Sequence, residues 1–392
     1  MNRNKFIFFT IALISLAIAA GIMLYNGNEK NKSDPDSVKT SENNNKDNNN
    51  KDNKNMITLN IISKTGSSDD FVEEARKEFI AKNPNIQINF KGLGTFEAAD
   101  YINKDNDVDA WISADETGVD TLRNKYSTEH GGKDIIVDAT SIVASPLVLV
   151  GWEDRLNKLG EISINSLYDI VSQGKTWQSL GGQSNWGFVN FSHTDPIKSN
   201  SGVQFVTLLT HNFYSMNNSA KKTLQVEDIA NDKLVEYIKK FEKNTAKQED
   251  GSGKFIELMV LYGPSRYDIG AIYEYYALSN IKNAKGRWGN LKIIYPNPTI
   301  WSDKPFIILK GPNSTDEKVE ACKKFRDYLL SVQVQQNAMK QGYRPSSPEV
   351  TDLSPLEKEF AAYGFKKDIP AAVPPPDIKV IERIQQMVQR IR

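Results

Sequence analysis

The sequence predicts an α/β fold in which mixed sheets are flanked by helices and the chain is divided into two lobes. Strand-like segments alternate with amphipathic helical segments along most of the chain, a pattern typical of mostly parallel sheets. The length of 392 residues exceeds what a single hydrophobic core usually organises, which indicates a second lobe. A long apolar segment at the start adds an N-terminal transmembrane helix to this prediction.

Residues 1–25 predict a signal anchor. Arg3 and Lys5 precede a nearly unbroken apolar run that ends at Tyr25. A run of about twenty residues can span a bilayer as a helix, and the positive flank places the following chain outside the cell. We therefore expect a protein held at the extracellular face of the cell membrane by a retained anchor. Cleavage near Ala19 is the alternative, and it would release a secreted protein.

Composition separates a tether from the folded chain and limits the partners. Residues 26–55 consist almost entirely of Asn, Lys, Asp, Glu and Ser, which cannot bury a core, so we expect a disordered, Asn- and Lys-rich tether. Lys plus Arg and Asp plus Glu both total 49, and this balance gives no basic field for nucleic acid. The single cysteine, Cys322, has no partner for an internal disulfide and predicts a packed residue.

The first folded unit is a strand, a polar turn and a helix. Ile57–Ile62 is apolar and rich in β-branched residues, and Phe71–Phe79 carries apolar residues at helical spacing. The turn between them contains Thr65, Gly66, Ser67 and Ser68. Its hydroxyl groups either cap the helix or, with the free backbone N–H groups and the helix dipole, bind an anion or a carbonyl oxygen. The sequence leaves both interpretations open.

Two further predicted strands also end in polar turns. The second strand leads to Gly94 and Thr95, and the third leads to Ser113. Because ligands of parallel α/β sheets bind at the carboxyl ends of strands, these residues predict one side of a ligand site. Asp115 and Glu116 follow the third strand, and we expect them to form a solvated helix start, with a ligand role as the alternative.

The lobe boundaries follow from two predicted crossings. An almost continuous apolar segment over residues 141–151 predicts a buried strand that crosses between the lobes near Ser145, and the chain is expected to cross back near Tyr295. The predicted lobe 1 comprises residues 56–145 and 293–392, and lobe 2 comprises residues 146–292. The proline-rich tail at the end of lobe 1 is expected to wrap around it.

Short motifs carry a resemblance to a known family. They are the opening unit and the segments Asp109–Glu116, Asp195–Gly202, Gly270–Tyr273 and Gly342–Pro345. Together they resemble the extracellular solute-binding proteins of ABC importers, which have a two-lobed type II periplasmic-binding fold, and most nearly the molybdate-binding branch. The tail over residues 345–392 is similar to that of solute-binding modules found with von Willebrand A domains.

The resemblance implies a pocket between the lobes. Its ligand-binding residues would be Ser67, Thr95, Ser201, Phe255 and Tyr273, where Ser201 and Phe255 offer backbone N–H groups and Tyr273 a phenol. Neutral donors of this kind bind an oxyanion without a paired cation. Further candidates at the same strand ends and helix starts are Thr65, Gly66, Ser68, Gly94, Ser113, Ser145, Ser199 and Glu274. Glu274 is a candidate selectivity residue, with helix capping as its alternative.

The sequence therefore predicts a solute-binding protein that captures a small ligand for delivery to an ABC permease. An oxyanion is the favoured ligand. The alternative is a membrane-anchored surface interaction or receptor protein on the same fold, without transport. An enzyme is not expected, because the sequence has no catalytic constellation. No metal or other cofactor is expected either, since His130, His193 and His211 share no metal-binding spacing.

Overall fold

The computed structural model describes residues 56–63, 70–104, 107–369 and 371–392. The predicted anchor and tether lie outside the described residues, and so do Thr65, Gly66, Ser67 and Ser68. Among the helices of the described residues, none is long and apolar enough to cross a membrane. Lys54–Arg392 forms one compact unit.

Within the described residues, the first sheet has five strands: β1 (Ile57–Ser63), β2 (Ile86–Lys91), β3 (Ala110–Ile112), β4 (Ile136–Ser141) and β10 (Pro305–Leu309). Their order is β2-β1-β3-β10-β4. The first three strands run parallel, as their alternation with helices predicts, whereas β10 is antiparallel to both β3 and β4. Each parallel strand is followed by one helix, namely α1 (Asp70–Lys82), α2 (Thr95–Lys104) and α3 (Glu116–Glu129).

The second sheet is organised around β5 (Val143–Trp152), whose residues are almost all fully buried. The other strands described in this sheet are β6 (Phe191–His193), β7 (Ile269–Tyr273), β8 (Leu291–Ile294), β9 (Thr299–Ser302), β11 (Arg344–Pro345) and β12 (Ala372–Val373). β7, β8, β9 and β11 all pair antiparallel with β5. Because β5 is buried in the middle of the sheet, nearly all of its residues are apolar, and they form the continuous hydrophobic run seen in the sequence.

Helices that lie between β5 and β8 in the sequence surround this sheet, and together with it they form what we call the second side. The first side is the first sheet with α1, α2 and α3. The helices of the second side are α4 (Glu153–Leu159), α5 (Ile164–Ser172), α6 (Asn200–Met216), α7 (Val226–Ile229), α8 (Asp232–Glu242), α9 (Ser252–Tyr262) and α10 (Glu274–Ile281). α6 is the most deeply buried of these helices, and its residues Val203, Phe205 and Leu209 are all inaccessible to solvent. A helix that is apolar on most sides belongs in the interior.

Two neighbouring crossings connect the first sheet with strands β5 to β9 of the second, and the chain crosses once more after β10 to reach β11 and β12. At the two neighbouring crossings, the chain leaves the first sheet through Ile142, between β4 and β5, and returns through Asp303 and Lys304, between β9 and β10. The Ile142 N–H donates to the Lys304 carbonyl at 3.0 Å, so the two crossing segments are hydrogen-bonded to each other. The sequence predicted this return near Tyr295. It lies further along the chain, because β8 and β9 both pair with β5 before the chain leaves the second sheet.

The C-terminal part of the chain packs against both sides. It contains α11 (Asp316–Leu329), α12 (Val332–Lys340), α13 (Ser354–Phe360) and α14 (Ile378–Ile391). The Phe325 ring of α11 lies 5.1 Å from that of Phe79 in α1, measured between ring centroids. In α14, Ile378 and Ile381 are buried with Val203 of α6, and Phe96 of α2 packs against the same cluster.

Candidate functional site

A cavity of about 50 Å³ lies between the first and second sheets. The first side contributes Thr95 and Ser113, among others, and the second side contributes Ser199, Asn200, Ser252 and Tyr273. Ser302 and Lys304, next to the crossing between the sheets, complete this part of the wall. The volume exceeds the roughly 10 to 15 Å³ that one water needs, so it has room for a ligand of a few heavy atoms.

Helix starts converge on this cavity. α2, α6 and α9 begin at lining residues, namely Thr95, Asn200 and Ser252, and Tyr273 is the N-cap residue of α10. The N-cap positions of α6, α9 and α10 make no side-chain capping hydrogen bond. The first turns of α6 and α9 offer backbone N–H groups and the positive ends of their dipoles, which favours a negatively charged ligand, whereas the Tyr275 N–H in the first turn of α10 donates to the Ser145 hydroxyl.

A network of hydroxyl groups joins two of these helix starts. The Ser201 hydroxyl is 2.8 Å from that of Ser252, 3.1 Å from that of Ser199 and 2.7 Å from that of Thr194. Ser199 and Ser252 line the cavity, whereas Ser201 lies behind them and is fully buried. Ser201 therefore fixes the relative positions of α6 and α9 through its side chain.

Asp115 is the main departure from the sequence prediction. We expected a solvated helix start, but this carboxylate is fully buried, so the expectation is wrong. It caps α3 by accepting from the Thr117 N–H at 3.0 Å, and it accepts side-chain N–H groups from Asn200 and from Gln204, the latter at 2.6 Å. Residues of α6 cover it, which the local sequence around Asp115 does not reveal.

Burial also changes the acidity of this carboxyl. Loss of solvation raises the pKa of Asp115 from 3.8 to about 7, and the nearby negative charge of Asp303 acts in the same direction. Among the described residues, no Lys, Arg or His forms an ion pair with it. Asp268, a second buried carboxylate, differs because the Arg155 guanidinium donates to it at 3.0 Å, together with the Trp177 indole. We therefore assign Asp268 to the core and Asp115 to the site.

Tyr273 brings a phenol to the cavity, as the resemblance implied. Its hydroxyl oxygen accepts from the Asn200 side-chain N–H at 3.0 Å. Complete burial raises the pKa of this phenol well above its ordinary value, and the neighbouring Asp115 adds to the shift. Tyr273 is therefore neutral and keeps its O–H as a donor.

Lys304 is a cavity residue that the sequence analysis did not single out. It is 6% exposed, and its ammonium lies 5.1 Å from the ring centre of Tyr275 and 5.3 Å from that of Tyr343. Its position directly before the apolar strand β10 is the one signal that could have indicated burial. Its ammonium also donates to the Tyr343 hydroxyl at 3.4 Å, and this contact holds it at the cavity wall.

Several predicted residues lie elsewhere. The Phe255 ring stacks on Tyr267 with 4.4 Å between ring centres, and the Phe255 N–H donates to the Gly251 carbonyl. The Ser145 hydroxyl accepts from the Tyr275 N–H at 3.1 Å and does not line the cavity. Gly94 lies just before α2, on a neighbouring groove.

The contacts of Glu274 indicate a different role from the expected one. It is fully buried, and the Arg344 guanidinium donates to its two carboxylate oxygens at 2.8 and 2.9 Å. Arg344 in turn donates to the carbonyls of Lys366 and Lys367. This ion pair ties β11 and the following tail to the start of α10, away from the cavity lining.

Within the described part of the chain, no group of three or more His, Cys, Asp or Glu side chains is arranged to hold a metal ion. His193, for example, has its two ring nitrogens next to the Thr194 carbonyl and the Glu242 carboxylate, at 2.8 and 2.9 Å. The polar groups of the cavity are mainly hydroxyls, amides and helix starts. Such groups bind a solute by hydrogen bonds and charge.

Comparisons with known proteins bear on the family and on the fold. A family model described as a bacterial extracellular solute-binding protein matches residues 62–344. The sulfate-binding protein SubI of Mycobacterium tuberculosis H37Rv has a similar structure, with a TM-score of 0.54, 13% identity, and 83% of this chain and 96% of that chain covered. The comparison with curated protein sequences finds no match.

Two further solved structures share the fold. Iron-bound HitA from Pseudomonas aeruginosa has a TM-score of 0.57 at 13% identity and covers 86% of this chain and 99% of its own. An ABC transporter structure from Clostridium perfringens ATCC 13124 has a TM-score of 0.54 at 13% identity, with coverages of 86% and 98%. At these identities the similarity shows the fold alone.

Proposed function

The chain belongs to the bacterial extracellular solute-binding proteins, and from this premise we propose that it captures a small oxyanion between its two sheets. Members of this family are binding proteins of the ABC transporter type and act outside the cytoplasm. The observation that carries the oxyanion proposal is the convergence of the α2, α6 and α9 starts on one cavity, next to the buried Lys304. Positive helix ends with free backbone N–H groups stabilise an anion that has left water.

The residues proposed to hold the ligand come from both sides. Thr95 and Ser113 would donate from the first side, and Ser199, Ser252 and Tyr273 from the second. Ser201 supports two of these hydroxyl groups, and Ser67, which lies outside the described residues, stays in the proposal as a donor. Phe255 and Glu274 are left out, because their contacts belong to packing and to the Arg344 ion pair.

Delivery of the ligand to an ABC permease is the second part of the proposal. The hydrogen-bonded segments at Ile142 and Lys304 would act as the hinge, so that ligand binding and closure of the two sides are coupled. A retained anchor over residues 1–25 and the tether would hold the protein near its permease. The resemblance to the molybdate-binding branch and to modules found with von Willebrand A domains remains a prediction.

The test uses the compact unit Lys54–Arg392 purified from its own host. Native mass spectrometry should find a small co-purifying mass, and an oxyanion should raise the melting temperature by several degrees, because it binds the folded state. Calorimetry with sulfate, molybdate, phosphate and a neutral sugar gives the affinities. A sugar that binds while every anion fails would contradict the proposal. A chain that binds none of them but co-purifies with a protein partner would favour the surface interaction protein.

A further inference from the structure

The helix α14 is attached to the second side at both of its ends. Just before it, β12 pairs with β9 of the second sheet. Further along, the Gln385 side-chain amide donates to the Pro196 carbonyl at 3.0 Å. The Arg392 guanidinium donates to the two carboxylate oxygens of Asp195 at 2.7 and 3.2 Å. Asp195 and Pro196 lie in the loop between β6 and α6, so α14 must move together with the second side.

The first turns of α14 also contact the first side. Ile378 and Ile381 are buried in one cluster with Val203 of α6. Phe96 of α2 packs against this cluster, and it directly follows Thr95, which lines the cavity. α14 lies next to α3 as well. A separation of the two sides would therefore split this cluster and expose part of its apolar surface to water.

Apolar contact alone holds α14 to the first side. Among the described residues, no ion pair or side-chain hydrogen bond joins α14 to α2 or α3. A neighbouring cavity of about 350 Å³ is lined by Glu116 and Asp120 of α3 and by Asp377, the N-cap residue of α14. Burial raises the pKa of Asp120, and the like charge of Asp377 acts in the same direction. A contact this small, with like charges beside it, can open without unfolding either side.

We propose that α14 is a strap that favours the closed arrangement of the two sides, attached to the second side and gripping the first side at Phe96. This inference rests on the hinge motion in the proposed function, but not on the identity of the ligand. Because separation exposes apolar surface, the strap shifts the equilibrium between closed and open forms toward the closed one even when no ligand is bound. A captured solute then leaves only after the first side has released the strap.

The distance between two spin labels measures this equilibrium. The labels are attached to cysteines introduced by Asn124→Cys in α3 and Lys240→Cys in α8, at exposed positions on opposite sides. Cys322 is the single native cysteine and is buried, so it stays unlabelled. Double electron–electron resonance is recorded on Lys54–Arg392 that dialysis from urea has freed of small molecules. This labelled protein, with no further change, should show mainly a short distance.

Phe96→Ala removes the grip on the first side and leaves the attachments of α14 in place. The fraction of molecules with a longer distance should rise about fivefold or more, because most of the apolar contact is lost. Deletion of residues 377–392 should have the same effect. Arg390→Ala is the control, since Arg390 is an exposed residue of α14 without an ion pair among the described residues, and it should keep the short distance. If the deletion variant does not fold, Phe96→Ala decides.

Asn200→Asp separates a failure of the strap from a failure of the hinge. At about pH 8 it places a carboxylate against that of Asp115, at another contact between the two sides, and repulsion should drive them apart. A longer distance in Asn200→Asp, with none gained in Phe96→Ala, would overturn the strap and leave the hinge intact. The short distance alone in all variants would overturn both. A labelled protein that is already as open as Phe96→Ala would also overturn the strap.

Discussion

The side-chain amide of Asn200, at the start of α6, donates a hydrogen bond to the buried carboxylate of Asp115, at the cap of α3. This contact connects the two sides of the cavity directly. Asp115 caps a helix that follows the first sheet, while α6 belongs to the second side. Any motion that separates the two sides must therefore break a hydrogen bond to a buried carboxylate, which solvent would then rehydrate.

The raised pKa of Asp115 makes the stability of the protein depend on pH. Its carboxyl titrates near 3.8 in the unfolded chain and near about 7 in the folded one. Between these values the folded state holds more protons, so the contribution of this group to stability is present below about pH 4 and is lost as the pH rises through about 7. Asp115→Asn lacks this dependence.

Urea unfolding of both proteins from about pH 4 to about pH 8 checks this prediction. The free energy of unfolding of Asp115→Asn, relative to the wild type, should increase by up to about 4 kcal/mol over this interval. Other carboxyls with raised pKa values are common to both proteins, so their contributions cancel in the difference. A difference in unfolding free energy that does not change with pH would contradict the raised pKa of Asp115 in the folded protein.

Tyr273 and Ser113 contribute donors from opposite sides, so their loss should weaken binding without unfolding the protein. The double variant with Ser113→Ala and Tyr273→Phe should lose about 2 to 5 kcal/mol of binding free energy for the oxyanion, because the ligand oxygens lose buried partners. Calorimetry measures the affinity and circular dichroism the fold. Tyr262→Phe, at a tyrosine that is 48% exposed, is the matched control and should bind as the wild type does. Unchanged affinity in the double variant would remove both residues from the site.

Gly118 allows α3 to approach β3 closely. A Cβ atom at this position would lie 2.7 Å from the Trp111 ring and would also clash with the Ser113 hydroxyl. Gly118→Ala should therefore lower the stability by about 1 to 3 kcal/mol and weaken ligand binding together, because the helix must shift away from Ser113. Gly94→Ala is the control, since its Cβ would meet the Lys198 carbonyl at an ordinary 3.7 Å. Thermal unfolding that is equal in the two variants would argue against this close packing.

The Glu274–Arg344 ion pair should matter for stability and not for selectivity. Both side chains are at least 95% buried, so Glu274→Gln leaves an uncompensated guanidinium and should cost about 3 to 5 kcal/mol of unfolding free energy. Asp316→Asn breaks the exposed pair with Lys310, which solvent screens, and should leave the free energy of unfolding nearly unchanged. A change in the ranking of ligands by Glu274→Gln, without loss of stability, would restore Glu274 as a selectivity residue.

The alternation of strands and helices was predictable because it depends on local patterns. The parallel strands β1 and β2 and the buried strand β5 lie where their apolar residues indicated. The return crossing was placed too early, because the sequence does not show that β8 pairs with β5. Pairing partners depend on contacts between distant segments, and a local pattern does not contain them.

The residues of the candidate site also divide into those that a local sequence pattern predicts and those that it does not. Thr95, Ser113 and Tyr273 were predicted because strand ends and helix starts are visible in the sequence, and all three line the cavity. The burial of Asp115 was missed, because it arises from Asn200 and Gln204, more than eighty residues further along the chain. Lys304 was missed for a similar reason, since its environment is made by two distant tyrosines, Tyr275 and Tyr343.

The position of β10 has a consequence for how the molecule is made. β3 and β4 are both complete by Ser141, yet the strand that lies between them begins at Pro305. A nascent chain therefore exposes unpaired edges of β3 and β4 until strands β5 to β9 have been synthesised, and completion of the first sheet must await this long-range pairing. The first sheet can therefore form its central pairing only late in synthesis, after most of the chain has been made.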